Sequence, residues 1–344
     1  MFVINVTDKP VIFSKFFNET DAEAVRKELE KYDINNILFV DTPATAFLVD
    51  LFAYLRDEGV AVTVIDHHDT AGDSPREQEI HSSVERVKGL LGIEAYYSTR
   101  EEHPSCSTLI SVGQYSYYDA VVADPDPDGL TAAIKALGVS YKEIDEDSAI
   151  LDGPRTARNG MTPWGMLLNR AMSCIPAFDP ARPDQSETAK AKLFQTFADA
   201  VKGGDKDDKA FWNLVTLTRA GQEDIDRQKA AAEDIAKSAV NLARSVVMVD
   251  VTGETRRFDL SALMSRIENG NRLTVLKKSV GPIATIHGTQ YTVAVVKGAG
   301  INLQSILDEG VVSSPENGII SNVPYLLHLS QENWDKYSER ILAL

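Results

Sequence analysis

Asp66, His67 and His68 stand together at the end of the apolar run Ala61-Val62-Thr63-Val64-Ile65. A β-branched run of this length reads as a buried strand, so the three residues emerge at its C-terminal tip, where open α/β sheets place their ligand crevices. One carboxylate and two imidazoles at one strand end are costly to bury unless something pairs with them, and a divalent cation does that best. A second acidic tip, Asp124-Pro125-Asp126-Pro127-Asp128-Gly129, follows Ala120-Val121-Val122-Ala123. A third strand, Ile37-Leu38-Phe39-Val40, ends in Asp41, 25 residues before Asp66, which leaves room for one helix and one strand between the tips. Mixed carboxylate and imidazole donors suit manganese, then magnesium, zinc and iron, and such a cluster serves metal-dependent phosphoester chemistry.

Plainer readings stand beside these. Strand-tip aspartates such as Asp41 also cap helices, and Asp152-Gly153-Pro154 is a turn signal in its own right. Asp69 and Asp73 read as loop or capping residues, Cys106 as a small buried side chain, and His81, His287 and His328 as surface or satisfied core histidines. Trp164 suits either base stacking or core packing. If the segment 124–128 stays extended, alternation puts Asp124, Asp126 and Asp128 on one side, and Gly129 permits the turn into the next helix.

The elements that must position these residues alternate. After the strand to Asp41, Thr42-Pro43 opens a helix across Ala44 to Asp57 that Glu58-Gly59 closes. The strand to Asp66 leads to a helix over about 77–91, a short helix near Cys106 to Val112, the strand into Asp124, a helix over 130–137, and a short strand Ala149-Ile150-Leu151-Asp152. Nearly all-apolar strands alternating with helices indicate an α/β fold: a parallel sheet with helices on both faces. A Pro-rich stretch, Met161 to Pro183, precedes helical segments from Ser186, with Ala230 to Ala243 as a connecting helix. A second, smaller α/β domain begins at the strand 245–251, with further strands at 273–278, 283–286 and 291–297 and a helix at 303–307. The expected boundaries are 1–185, 186–244 and 245–344.

At 344 residues, each of two domains is large enough for its own core. A net charge of −16 argues against coating long duplex nucleic acid, which relies on clustered Lys and Arg, but is compatible with a short oligonucleotide or small phosphorylated substrate held through metal ions. No apolar run reaches the roughly 20 residues of a membrane span, and the N-terminal residues lack a signal-peptide pattern. With only two cysteines, Cys106 and Cys174, no disulfide framework is indicated, and the expectation is a cytoplasmic protein.

These motifs resemble those of the DHH phosphoesterase superfamily, which includes single-strand exonucleases, nano-RNases, cyclic dinucleotide phosphodiesterases and family II pyrophosphatases. Phe39-Val40-Asp41-Thr42 and Val64-Ile65-Asp66-His67-His68-Asp69 resemble its second and third motifs, with similar spacing. Asp124 to Ala133 resembles its first motif, and His103-Pro104-Ser105-Cys106-Ser107-Thr108-Leu109 its fourth. In most of the family the acidic triplet comes first; here it follows, which implies a circular permutation of the catalytic sheet, since a ligand cluster depends on geometry and not on chain order.

The resemblance implies two manganese ions, with magnesium as the substitute. Asp41 would bridge them, and His67, Asp66, Asp124, Asp126, Asp128 and Asp152 would complete the ligand set. His68 would contact the scissile phosphate or protonate the leaving group, with His103 and Arg155 as further residues at the crevice. It implies in-line attack by a metal-activated hydroxide, a phosphodiesterase acting on short oligonucleotides or cyclic dinucleotides, a crevice between the two domains, and compatibility with a homodimer. A phosphomonoesterase or pyrophosphatase is the near alternative, and a non-catalytic module that binds a nucleotide or protein the other. In the second domain, Val293 to Leu303 resembles the family's substrate-selecting module only loosely, and Ser313 to Gly318 stands where its glycine-rich, histidine-containing loop is expected.

Overall fold

The computed structural model describes residues 1–15, 19–69, 75–153, 160–175, 184–204 and 209–243, and beyond these 246–251, 254, 256, 258–259, 262–263, 266–267, 273–278, 294–298, 302–308, 319–323 and 326–343. The chain divides into two compact units, Met1–Glu223 and Asp224–Leu344.

The first unit is built on six strands: β1 (Phe2–Val6), β2 (Lys9–Phe13), β3 (Asn36–Val40), β4 (Ala61–Asp66), β5 (Ile93–Tyr97) and β6 (Ala120–Ala123). They lie in the order β1-β2-β6-β3-β4-β5, and every pairing is parallel except the β1–β2 hairpin at one edge. Alternation along the strands feeds two cores. Leu38, Val40, Val121 and Ala123 face one core with α4 (Pro127–Ala136), α5 (Ile144–Asp152), α6 (Pro163–Ser173) and α7 (Asp184–Gly203). Ile37, Phe39, Val62, Val64 and Val122 face the other, with α1 (Glu19–Leu29), α2 (Ala46–Asp57) and α3 (Pro75–Lys88). The four β3 residues Ile37, Leu38, Phe39 and Val40 are fully buried, each contributing roughly 1.5–3 kcal/mol of hydrophobic stabilisation. The expected parallel sheet covered on both faces is thus present.

Several local elements differ from those expected. Residues 149–152 are the end of helix α5, not a strand. The segment 124–128 is not extended: Asp126 caps α4, Pro127 occupies its first position, and Asp128 sits within its first turn. Proline's fixed φ and missing N–H suit that position, so the helix begins three residues before the expected 130. Helix α2 starts at Ala46 behind a Thr45 cap, not at Ala44. The short helix near Cys106 is a single 3-10 turn, Cys106–Leu109. Trp164 is a packing residue, its ring edge-on to Phe197 and Phe211.

Helix α8 (Lys209–Ala236) runs across the boundary between the units and is followed by β7 (Val240–Ala243), so the expected helix through Ala243 ends seven residues early. The second unit holds a mixed sheet in the order β11-β12-β10-β9-β8-β7, formed by β7, β8 (Val246–Val251), β9 (Leu273–Lys278), β10 (Ala294–Gly298), β11 (Ile319–Val323) and β12 (Leu326–Leu329), with α9 (Gln331–Leu342). The expected strand at 283–286, His287, and the loop Ser313 to Gly318 lie outside the described residues. Among the described residues no helix is long and apolar enough to cross a membrane.

Candidate metal centre

Strand register brings the acidic tips together. Val40 pairs with Ala123 on one side and Ile65 on the other, so Asp41, Asp124 and Asp66, the next residue of each strand, end three adjacent parallel strands at the same level. Asp41 leaves β3 with φ +53, a left-handed conformation that aspartate tolerates better than most residues, while its N–H donates to the Ile65 carbonyl at 3.1 Å. Strain of this kind at a side chain in the cluster is the pattern expected where function fixes the backbone.

His67 is the centre of the arrangement. Its side chain is fully buried and its Nδ1 lies 2.8 Å from the His103 carbonyl oxygen. A carbonyl can only accept, so Nδ1 carries the ring hydrogen and Nε2 of the neutral ring offers a lone pair. Around Nε2 stand Asp128 Oδ2 at 3.2 Å, Asp41 Oδ1 at 3.3 Å and Asp152 Oδ2 at 4.0 Å. Both His67 Nε2 and Asp41 Oδ1 are buried without a hydrogen-bond partner. A buried lone-pair nitrogen and a carboxylate oxygen left unbonded at this spacing are costly unless a cation takes them. Asp41, His67 and His68 form one group whose donor atoms lie within 4.8 Å of one another, and His67, Asp128 and Asp152 form another. These residues fit a divalent cation.

The electrostatics agree. Burial, then the carboxylates of Asp128, Asp126, Asp66 and Asp124, push the Asp41 carboxyl well above its ordinary range. Asp124 is pushed up to about 8 by burial and by Asp126, against the pull of Lys15 and Lys190. Burial also raises Asp152, with Arg100 opposing. For His67 burial works against the charged form, yet Asp128 beside Nε2 carries the net shift upward. Crowded carboxyls that hold protons are ligands waiting for a different cation.

Each ligand candidate is oriented by neighbours. Asp128 is almost fully buried, its Oδ2 accepting from the Cys106 N–H at 2.8 Å and its Oδ1 from the Ser148 hydroxyl at 2.8 Å. The 3-10 turn that supplies the Cys106 N–H is held by buried Lys135, whose Nζ donates to the Ser107 carbonyl at 3.0 Å and to Asp145 at 2.6 Å. Lys135 and Asp128 share helix α4, so the turn is fastened to the helix it serves. Outer partners of this sort fix the direction of a ligand's lone pairs.

Asp66 gives both oxygens to His68, accepting from its backbone N–H at 2.9 Å and its Nδ1 at 2.8 Å. Burial raises the Asp66 carboxyl, but the charge of a protonated His68, these bonds and His67 together hold it below its ordinary range. Asp66 therefore orients His68, as a carboxylate does behind a working imidazole. Asp126 commits Oδ1 to the Gly129 N–H at 2.9 Å as the α4 cap. His103 reaches His67 through its carbonyl, while its ring Nδ1 is 3.0 Å from the Thr108 hydroxyl. Asp69 pairs with His81 Nδ1 at 2.8 Å and with Lys88 Nζ at 3.5 Å. Cys106 is buried and its thiol pushed well up by burial and the neighbouring aspartates, which leaves it unreactive. Arg155 and Asp73 lie outside the described residues.

Three participants have no signature in the sequence. Arg100 donates to His68 Nε2 at 2.8 Å and to Asp152 Oδ1 at 3.2 Å. Lys190 of α7 donates to the Pro125 carbonyl at 3.0 Å and is held below its ordinary range by burial and Lys15. Ser148 of α5 steadies Asp128. All three come from elements remote in sequence from the residues they touch, and only the folded chain shows them.

Fold and site together define an α/β protein with a carboxylate and imidazole cluster at the C-terminal edge of its parallel sheet. No protein-family model and no curated protein sequence matches the chain. Solved structures to which it is similar include the pGpG-specific phosphodiesterase PggH from Vibrio cholerae, at 10% identity and TM-score 0.41, over 90% of this chain and 97% of that one. Exonuclease RecJ bound to manganese aligns at 14% identity and TM-score 0.41, over 93% of this chain and 77% of that one. The DHH domain of a protein described as a member of a ribosomal-protein family aligns at 13% identity and TM-score 0.41, over 96% and 75%. Alignments this shallow leave the reading of the site to its own geometry.

Proposed function

We propose that the chain is a divalent-metal-dependent phosphoesterase of DHH type, acting as a phosphodiesterase on short oligonucleotides or cyclic dinucleotides. The observation that carries this reading is the buried His67 Nε2, stripped of hydrogen-bond partners and faced by oxygens of Asp41, Asp128 and Asp152. Those four residues would hold the metal, for which mixed imidazole and carboxylate donors favour manganese. When bound, divalent cations activate water and neutralise charge on the phosphoryl oxygens.

The chain's own residues supply the rest. The His103 carbonyl keeps the His67 hydrogen on Nδ1, so the free lone pair stays on the side of the carboxylates. Asp66 holds one hydrogen of His68 on Nδ1 and turns Nε2 outward, where its lone pair accepts from Arg100; released from that bond and protonated on both nitrogens, the ring would pass the Nε2 proton to a leaving oxygen. Burial of Asp41, His67 and Asp128 keeps water away from the ligand atoms and strengthens every interaction among them. The direct test is hydrolysis of bis-p-nitrophenyl phosphate with and without manganese, followed by a panel of linear dinucleotides, cyclic dinucleotides, adenosine bisphosphate and pyrophosphate. Metal-dependent release of nitrophenol supports the reading. Its absence with every divalent metal tried, in protein shown to be folded, refutes it.

A further inference from the structure

Arg100 opens the turn at 100–102 that follows β5. Arg100 bridges two site groups, donating through one guanidinium nitrogen to His68 Nε2 at 2.8 Å and to Asp152 Oδ1 at 3.2 Å. Its side chain is nonetheless 48% exposed, whereas Asp152 is 11% and His67 fully buried. The other guanidinium N–H groups have no partner among the described residues. Guanidinium carries five donors in a planar fork, so two bonds from one nitrogen leave most of its capacity unused. That fork matches two oxygens of a tetrahedral phosphate, and Arg is favoured wherever planar, bidentate recognition of phosphate matters.

The surroundings explain why the charge is there. Asp152 gives Arg100 a fixed anchor beside the cluster, which limits the rotamer freedom lost when an anion docks. A cation at this point also offsets the carboxylates that would otherwise repel a phosphate approaching the site. Its contact with His68 Nε2 puts a phosphate gripped by Arg100 within reach of the imidazole that Asp66 orients.

We propose that Arg100 is the substrate-binding residue that grips the non-bridging oxygens of the scissile phosphate, exchanging His68 Nε2 for the substrate while Asp152 keeps hold of it. This rests on the phosphoesterase reading and names the group that recognises the phosphate within the same site.

The test compares wild type, Arg100→Gln, Arg100→Lys and, as a distant loss of positive charge, Arg86→Gln on α3. Each is assayed for manganese affinity by calorimetry, for inhibition by inorganic phosphate, and for KM and kcat with bis-p-nitrophenyl phosphate. Arg100→Gln should weaken phosphate inhibition and raise KM by roughly tenfold to a hundredfold, the range for losing a charge-assisted hydrogen bond, with manganese affinity unchanged. Arg100→Lys should recover part of the phosphate affinity, because a point charge replaces the fork, and Arg86→Gln should match wild type. Unchanged KM and phosphate inhibition in Arg100→Gln overturn the proposal while leaving the phosphoesterase intact. So does a loss of manganese affinity equal to the loss of phosphate affinity, which would make Arg100 a support for Asp152 alone. A wild type that hydrolyses nothing defeats the phosphoesterase reading instead, and calorimetric phosphate binding by wild type and Arg100→Gln still decides whether Arg100 holds the anion.

Discussion

Gly129 is where the site is most sensitive to a single methyl group. It is the third residue of α4, and a Cβ built there would stand 2.2 Å from the Asp124 carbonyl oxygen and 3.1 Å from the Asp124 carbon and nitrogen. Ordinary contact begins at about 3.4 Å, so the backbone at one side or the other must move by 3.4 − 2.2, about 1.2 Å. No flexible side chain is available to give way, since the opposing atoms are main chain. Two effects compete in Gly129→Ala. Alanine's better helix propensity gains about 1 kcal/mol, while overpacking costs about 1–3 kcal/mol. Stability should therefore fall by no more than about 2 kcal/mol. The site suffers more, because the displaced backbone carries Asp124 on one side and Asp128 on the other. A shift of about 1 Å in a positioned group costs on the order of a hundredfold. The expected result is a folded protein whose metal-dependent kcat/KM drops by about that factor and whose manganese affinity weakens, read by thermal melts, calorimetry and nitrophenol release. Gly89→Ala, whose Cβ would meet only carbonyls at 3.4 and 3.5 Å, is the control and should behave as wild type. A Gly129→Ala protein with undiminished manganese affinity and turnover would refute the reasoning.

Two further outcomes are expected. His67→Ala should abolish metal-dependent turnover and lower manganese affinity while the circular dichroism spectrum stays native, because it removes the lone-pair donor and leaves the sheet untouched; activity within a few-fold of wild type would remove His67 from the centre. The carboxyls give a pH signature whose sign follows from Asp124, raised from 3.8 to about 8. A carboxyl raised in the folded state binds more protons there than when unfolded, so its contribution to the stability of metal-free protein is full below pH 3.8 and is lost as pH rises through about 8. Manganese must displace those protons. Binding heats at pH 7 should therefore depend on the ionisation enthalpy of the buffer, and identical heats in phosphate-free buffers of different enthalpy would contradict the assignment.

Asp41, Asp66 and Asp124 are legible in the sequence because each follows a run of buried β-branched or aliphatic residues, and parallel register then aligns the tips without further help. Asp152 is harder to place, because Ala149-Ile150-Leu151 is too short an apolar run to separate strand from helix; the helical signal is the spacing of Ile144, Ser148 and Leu151 on one buried face. The α4 start is marked by Asp126-Pro127, a cap followed by a proline at the first position, a signal that competes with the extended reading of the triplet and wins. The β1–β2 hairpin turns at Thr7-Asp8, both at positive φ, without the Asn-Gly or Asp-Gly signal that betrays such turns. Arg100 cannot be found in the same way: 32 residues separate it from His68, and only the β4–β5 pairing brings their loops together.

The most direct measurement is anomalous diffraction from crystals soaked in manganese. A peak is expected within bonding distance of His67 Nε2, with oxygens of Asp41, Asp128 or Asp152 completing its shell. A difference map with no anomalous density beside His67, from crystals that bind manganese elsewhere or not at all, would contradict it.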